Sequence, residues 1–125
     1  MDEKEVKAKI IELCLAGIDH KLSLDELAQK WPIHIEGDAY PFFRKVFGDI
    51  EDGIEHAPGY WFKKGLNVEL WKTTDMFWQL HLDIALLKRN ESLDELEQCY
   101  VDITARPDMP NAEEAVAEWF QANKR

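Results

Sequence analysis

The histidines are the residues best suited to bind a metal ion, and the chain has four: His20, His34, His56 and His81. None has the His-x-His or His-x-x-x-His spacing that brings two imidazoles to one face of a strand or helix. In an extended segment, His34, Glu36 and Asp38 would project from one side. A metal site also needs a second shell that orients its ligands. We predict no metal site, and leave open whether a small ligand or metal binds near His34 or His56.

The cysteines and serines are the candidate nucleophiles, and none is placed for catalysis. Cys14 lies inside an apolar helical pattern, where burial would keep its thiol protonated and inert. Cys99 has no histidine close to it in the sequence, and no Gly-x-Ser-x-Gly elbow occurs. The six glycines never have the spacing of a dinucleotide-binding or phosphate-binding loop. We predict no catalytic residue and no cofactor, with a small enzyme or metal-binding protein as the second alternative.

Net charge is the most informative feature of the amino-acid composition, because the chain of 125 residues carries a net charge of −10 at pH 7. Such a balance opposes binding to the phosphate backbone of nucleic acids and to an anionic membrane surface. It would instead steer the chain toward a basic protein partner. The last third is especially acidic, and Arg106 is the one base between residues 90 and 123.

The predicted partner-binding surface combines acids of this last third with two aromatic residues. On a helix that begins at Ser92, the acids would point mostly outward, and exposed aromatic rings would supply an anchor that charge alone cannot. The residues are Glu91, Asp94, Glu95, Glu97 and Asp102, with Tyr60 and Trp61. The alternative interpretation of these acids is an ordinary solvated face.

Helices are expected to position these residues, and the most apolar is predicted over Asp75–Arg89. Thr74 can cap its start, and apolar side chains occupy most of its circumference, so we expect it to be the central helix. It is too short to span a membrane and is interrupted by His81 and Asp83. The other predicted helices cover Asp2–Ile18 and begin at Ser23, Asp38, Ser92 and Asn111. At Ser23, Ser92 and Asn111 a glutamate follows three residues later, which is the capping-box spacing.

One stretch predicts β-structure. Ile54–His56 and Tyr60–Lys64 flank Ala57-Pro58-Gly59, a typical turn sequence, and Val68–Lys72 alternates apolar and polar residues. We therefore predict a single α+β domain over residues 1–125, mostly helical, with about six helices and a two- or three-stranded antiparallel meander near residues 54–72.

A winged-helix arrangement of the N-terminal part is the first alternative, since three helices followed by a hairpin have the order of that fold. Arg44 and Lys45 would then lie on the recognition helix, with Lys63 and Lys64 in the wing. These four basic residues are few compared with the net negative charge of the chain, so DNA binding by a regulator of this kind is the runner-up function.

The N-terminus and the cysteines indicate the compartment. Met1 is followed by charged residues rather than the apolar core of a signal peptide. Cys14 and Cys99 fall in apolar helical patterns and are expected to be buried free thiols. We therefore expect a cytoplasmic protein.

The run Asp52-Gly53-Ile54-Glu55-His56-Ala57-Pro58-Gly59-Tyr60-Trp61, followed by the helix over 78–87, is similar to small acidic bacterial proteins. Some of these are encoded beside contact-dependent growth-inhibition toxins and act as their immunity proteins. The resemblance is one of size, charge and α-rich make-up with a short aromatic hairpin, and it transfers no individual residue. It implies a non-catalytic cytoplasmic protein that binds one toxin domain and blocks it, often by setting an acidic patch against a basic nuclease surface.

Overall fold

The chain folds around helices, as a computed structural model shows. The structure describes residues 2–19, 21–33, 40–64, 75–108 and 110–123, with the backbone alone at 56–64 and 75–77. Within these ranges it contains six helices and no strand. They are α1 (Glu3–Ile18), α2 (Leu24–Lys30), α3 (Pro41–Lys64), α4 (Asp75–Leu87), α5 (Leu93–Thr104) and α6 (Ala112–Asn123).

The predicted α+β class is wrong, because the residues assigned to the hairpin continue helix α3 to Lys64. The 3–4 spacing of buried Val46 and Ile50 runs on to Ile54, which packs against the core. Packing of this face favours a helix up to Ile54. The helix then continues through Pro58, although a proline inside a helix removes one backbone donor. The wing of the winged-helix alternative is therefore also wrong, while the predicted strand over 68–72 lies outside the described residues.

Helix α4 is the central helix, as its composition predicted. It packs against α1, α3, α5 and α6, and Leu80, Leu82 and Leu86 are fully buried. Ile84, Ala85 and Leu87 are buried as well, so the apolar residues that widen the inner face are all covered. Neither α4 nor any other helix in the described ranges is long and apolar enough to cross a membrane.

The helix starts predicted at Ser23, Ser92 and Asn111 are confirmed by their hydrogen bonds, whereas the predicted caps Asp38 and Thr74 lie outside the described residues. Ser23 and Glu26 form a complete capping box, in which the Glu26 N–H donates to Ser23 Oγ at 3.1 Å and the Ser23 N–H donates to Glu26 Oε1 at 3.3 Å. At α5 the Glu95 N–H donates to Ser92 Oγ at 3.2 Å. Asn111 Oδ1 accepts from the Glu114 N–H at 3.0 Å. These side chains satisfy backbone donors that a helix start otherwise leaves without partners.

A buried lysine binds backbone carbonyl groups just after the C-terminal end of α4. Lys7 Nζ donates to the backbone oxygens of Arg89 and Glu91 at 3.3 and 3.2 Å, and the Lys7 residue is only 7% exposed. An ammonium group is favourable here because the free carbonyl groups give a helix C-terminus partial negative charge. The Arg89 guanidinium lies over the Phe120 ring at 4.3 Å, which also ties this end to α6.

The helical conformation of α3 leads to a test at Gly48. A methyl group added there would meet no atom of the described structure outside the neighbouring backbone within 4 Å. Because glycine loses more backbone entropy than alanine in a helix, Gly48→Ala is expected to raise the free energy of unfolding by about 0.5–1 kcal/mol. Urea denaturation measures it. Gly17→Ala, near the end of α1, is the control. Its added methyl carbon would lie 3.5 Å from Ile50 Cγ2, and we expect a smaller gain in the free energy of unfolding. A loss of stability in Gly48→Ala would contradict a helix at this position.

Candidate functional site

Four of the five predicted partner-binding acids have structural partners, and three of these acids are glutamates. Glu91 Oε1 lies 3.5 Å from Arg89 Nη2, and Glu97 Oε1 lies 3.8 Å from Lys45 Nζ on α3. Glu95 is the capping residue at the start of α5, and its Oε1 accepts from Ser92 Oγ at 3.0 Å. Through these contacts the three carboxylates are already paired with other groups of the fold.

The other two predicted acids, Asp94 and Asp102, are exposed on α5. Asp94 lies two helical turns before Val101, on the same side of the helix, and Val101 is 42% exposed. Asp102 Oδ2 accepts from Trp119 Nε1 at 2.8 Å, and its Oδ1 accepts from Gln98 Nε2 at 2.9 Å. Asp102 therefore links α5 to α6 and holds the indole of Trp119 in a fixed orientation.

The predicted aromatic anchors are Tyr60 and Trp61, and both lie on helix α3 rather than in a hairpin. Their side chains are outside the described structure, so their part in binding stays a prediction. The sequence analysis did not select Trp119 as a binding residue. In the structure its indole is partly exposed and faces the acids of α5. The hydrogen bond to Asp102, 17 residues away, has no signal in the local sequence.

A shallow groove of about 320 Å³ separates α5 from α6. Ile103 and Ala115 are its buried apolar lining residues, while Asp102, Glu118 and Trp119 line it together with Arg106. We call the exposed surface on and beside this groove the α5–α6 face. It consists of the groove residues Asp102, Glu118 and Trp119, and of Asp94 and Val101 on the neighbouring exposed side of α5.

Arg106, the one base of this region, is held by a carboxylate of its own loop. Its Nε and Nη2 donate to Asp108 Oδ1 and Oδ2 at 2.9 and 2.7 Å. Through these two bonds the guanidinium lowers the pKa of Asp108, and the Asp108 carboxylate raises the pKa of Arg106. Because Arg106 is bound to Asp108 in a bidentate geometry, most of its charge is balanced there rather than at Asp102 or Glu118. The α5–α6 face therefore stays negative.

A larger groove of about 400 Å³ lies between α1 and the end of α4, and basic residues line it. Three of its four cations are already engaged: Lys7 donates to backbone carbonyls, Lys88 lies 3.7 Å from Glu113, and Arg89 pairs with Glu91. The fourth, Lys4, lines the groove together with the carboxylate of Glu3. A site that has most of its positive groups used by the fold is a poor candidate for binding an anion.

The described core contains a pair of carboxyl groups, one from α3 and one from α4. Asp83 is 0% exposed, and Asp49 on α3 is half-buried beside it. The Tyr100 hydroxyl donates to Asp49 Oδ2 and Oδ1 at 2.9 and 3.2 Å. Burial raises the pKa of both carboxyl groups and of the Tyr100 hydroxyl. Sequence analysis treated Asp83 only as an interruption of an apolar helix and missed this pair.

The residues of the alternative sites give no support for catalysis or metal binding. Burial raises the pKa of the Cys14 thiol well above its usual value and that of Cys99 to about 12, so both stay protonated at neutral pH. His34 lies outside the described residues, and of His56 only the helical backbone is described. Among the residues described, no three histidine, cysteine or acidic side chains are grouped to hold a metal ion.

The hydrogen bond from Tyr100 to Asp49 can be tested by removing one oxygen. Tyr100→Phe removes the phenolic donor of a partly buried carboxylate, so it is expected to lower the free energy of unfolding by about 1.5–3 kcal/mol. Tyr40→Phe makes the same change on a ring that is 44% exposed, and should stay within about 0.5 kcal/mol of the unmodified chain. Urea denaturation compares the two. Equal small effects would show that the bond contributes nothing to stability.

Comparison with known proteins yields no relative: no protein-family model matches the chain, and no curated protein or solved structure matches it significantly.

Proposed function

We propose that this chain is a non-catalytic module that binds one basic protein in the cytoplasm, most concretely an immunity protein that neutralises a toxin domain. The observation that supports the proposal is the α5–α6 face. There the exposed carboxylates of Asp102 and Glu118 line a groove together with the partly exposed indole of Trp119.

Electrostatics favours a basic partner for this face. The chain has a net charge of −10, and Arg106, the base nearest the groove, is bound by Asp108. A negative surface attracts positively charged proteins over distances of about 10 Å at moderate salt and speeds their encounter. It also disfavours acidic competitors, because like charges brought together across an interface are costly.

Trp119 provides the apolar contact that a stable complex requires. Tryptophan is enriched among the residues that dominate binding energy, usually near the centre of an interface and surrounded by polar groups. The bond from Trp119 Nε1 to Asp102 fixes the ring before a partner arrives, and a fixed ring loses less entropy on binding. Val101 extends the apolar area along α5.

The more specific assignment, toxin neutralisation, draws on the resemblance to acidic immunity proteins and on the acidic face. Cys14 and Cys99 are buried free thiols, in keeping with the reducing cytoplasm. No observation favours the DNA-binding alternative, since the segment Ile54–Lys64 is helical and Lys45 faces Glu97.

The proposal predicts that charge on the α5–α6 face controls the rate of association. A partner is first captured on the immobilised chain, with the encoded neighbouring proteins co-expressed, and identified by mass spectrometry. With that partner purified, the double variant Asp94→Lys, Glu118→Lys is expected to associate at least about tenfold more slowly at low salt, because electrostatic steering is reversed. Stopped-flow kinetics at several salt concentrations measures the association rate and its salt dependence.

The matched control places the same charge change on the other side of the chain. Glu12→Lys with Asp25→Lys alters two exposed acids of α1 and α2, and should leave most of the association rate intact. Equal slowing by both double variants would show that total charge matters and that the face does not. Failure to capture any stoichiometric basic partner would contradict the proposed function.

A further inference from the structure

We propose that Asp49 and Asp83 form a proton-binding site in the core, in which Asp83 keeps its proton at neutral pH and donates it to the carboxylate of Asp49. The site joins α3 to α4, and through the hydroxyl of Tyr100 it also joins α5. The inference does not depend on the proposed function, because it concerns the interior of the protein.

The burial of Asp83 is the first observation. It lies within the central helix, is 0% exposed, and neither of its oxygens accepts a hydrogen bond from a donor in the described structure. A buried carboxylate without donors or a cation carries a desolvation penalty of several kcal/mol. An ionised Asp83 is therefore incompatible with this environment.

The identity of its neighbour is the second observation. The carboxyl group that faces Asp83 belongs to Asp49, and two ionised carboxylates offer acceptors only. A single proton on Asp83 converts a repulsive contact into an O–H···O⁻ hydrogen bond, which is short and strong. Asp49 is the more exposed partner and already accepts from Tyr100, so the negative charge belongs on Asp49 and the proton on Asp83.

The other titratable groups that act on the pair come from three helices, and none supplies a cation to Asp83. Cys14 of α1 is a buried neutral thiol, and Asp52 of α3 adds negative charge near Asp49. Lys45 of α3 acts on Asp49 and lies 3.8 Å from Glu97. The Tyr100 hydroxyl of α5 donates its hydrogen bond to Asp49 and remains neutral. The pKa of Asp83 is accordingly raised, chiefly by burial and then by its contact with Asp49.

The site makes folding depend on pH in a defined direction. Above the ordinary aspartate pKa of about 3.9, the unfolded chain loses this proton while the folded chain keeps it. The folded state then binds more protons, so the equilibrium constant of unfolding rises with pH, by up to about tenfold per pH unit, until pH reaches the raised pKa. Below about pH 4 both states carry the proton, and the contribution to stability is complete.

Asp83→Asn tests this directly, because asparagine has the shape of a protonated aspartate and can donate to Asp49 without titrating. We expect the ratio of unfolding constants, unmodified chain over variant, to be flat below about pH 4 and to climb toward alkaline pH by up to about tenfold per unit. Urea denaturation from pH 3 to 9 gives the ratio. Asp94→Asn, which removes an exposed acid of α5, is the matched control and should not reproduce this climb.

Carbon-13 NMR locates the proton independently of stability. The side-chain carboxyl resonance of Asp83, assigned by its loss in Asp83→Asn, should stand at the position of a protonated acid at pH 6, where exposed aspartates stand as carboxylates. Asp49→Asn should move the Asp83 titration to lower pH, because it removes a neighbouring negative charge.

Two results would overturn the inference. One is an Asp83 resonance at the carboxylate position at pH 6. The other is an Asp83→Asn profile that runs parallel to the unmodified chain at every pH, which would show that Asp83 is ionised in the folded protein. If Asp83→Asn does not fold, the Asp83 carboxyl resonance is assigned instead through its bonds to the backbone of the same residue, and its position at pH 6 in the unmodified chain still decides the question.

Discussion

The need to cover helix α4 governs this fold. Leu80 lies on one side of this short helix and Leu82 and Leu86 on another, and all three are fully buried. A single neighbouring helix could therefore not shield them from water. Four helices, α1, α3, α5 and α6, pack around α4 for this reason. Each fully buried aliphatic side chain of this kind contributes roughly 1.5–3 kcal/mol relative to exposure, which makes α4 a principal source of stability.

The same constraint explains the least expected feature of the interior. Asp83 lies between apolar residues of α4, and a helix that is covered on nearly every side leaves few positions for a polar group to reach water. His81, two residues earlier, lies on an exposed part of the helix, whereas Asp83 is carried into the core. The neighbouring Asp49 and the hydroxyl of Tyr100 then form a polar cluster between α3, α4 and α5. Buried polar groups of this kind cost stability, but they restrict how the helices can pack.

On the outside, the acids divide into two groups with different roles. Glu95 and Glu97 form local structural contacts at a helix start and between helices. Asp94, Asp102 and Glu118 remain exposed on the α5–α6 face, and Trp119 lies among them. A surface that combines excess negative charge with a fixed aromatic ring differs from a merely solvated helix face, and it underlies the proposal of a basic protein partner.

The sequence by itself determined the helix starts and the central helix, because both depend on local patterns. Ser23, Ser92 and Asn111 cap helices as their spacing indicates. The apolar side chains of residues 78–87 occupy most of the circumference of their helix, and such a helix can bury them only in the middle of the fold. The acids of α5 were likewise identified from the sequence, although their individual partners were not.

Tertiary structure decided the rest. Pro58 and Gly59 carry a local turn signal, yet α3 is helical to Lys64. Earlier in the same helix, Val46 and Ile50 are buried and Ile54 packs against the core. The contacts of Asp83 with Asp49, and of Trp119 with Asp102, join residues 34 and 17 positions apart in the chain. Such contacts depend on how helices pack side by side, which periodicity along a single helix does not specify.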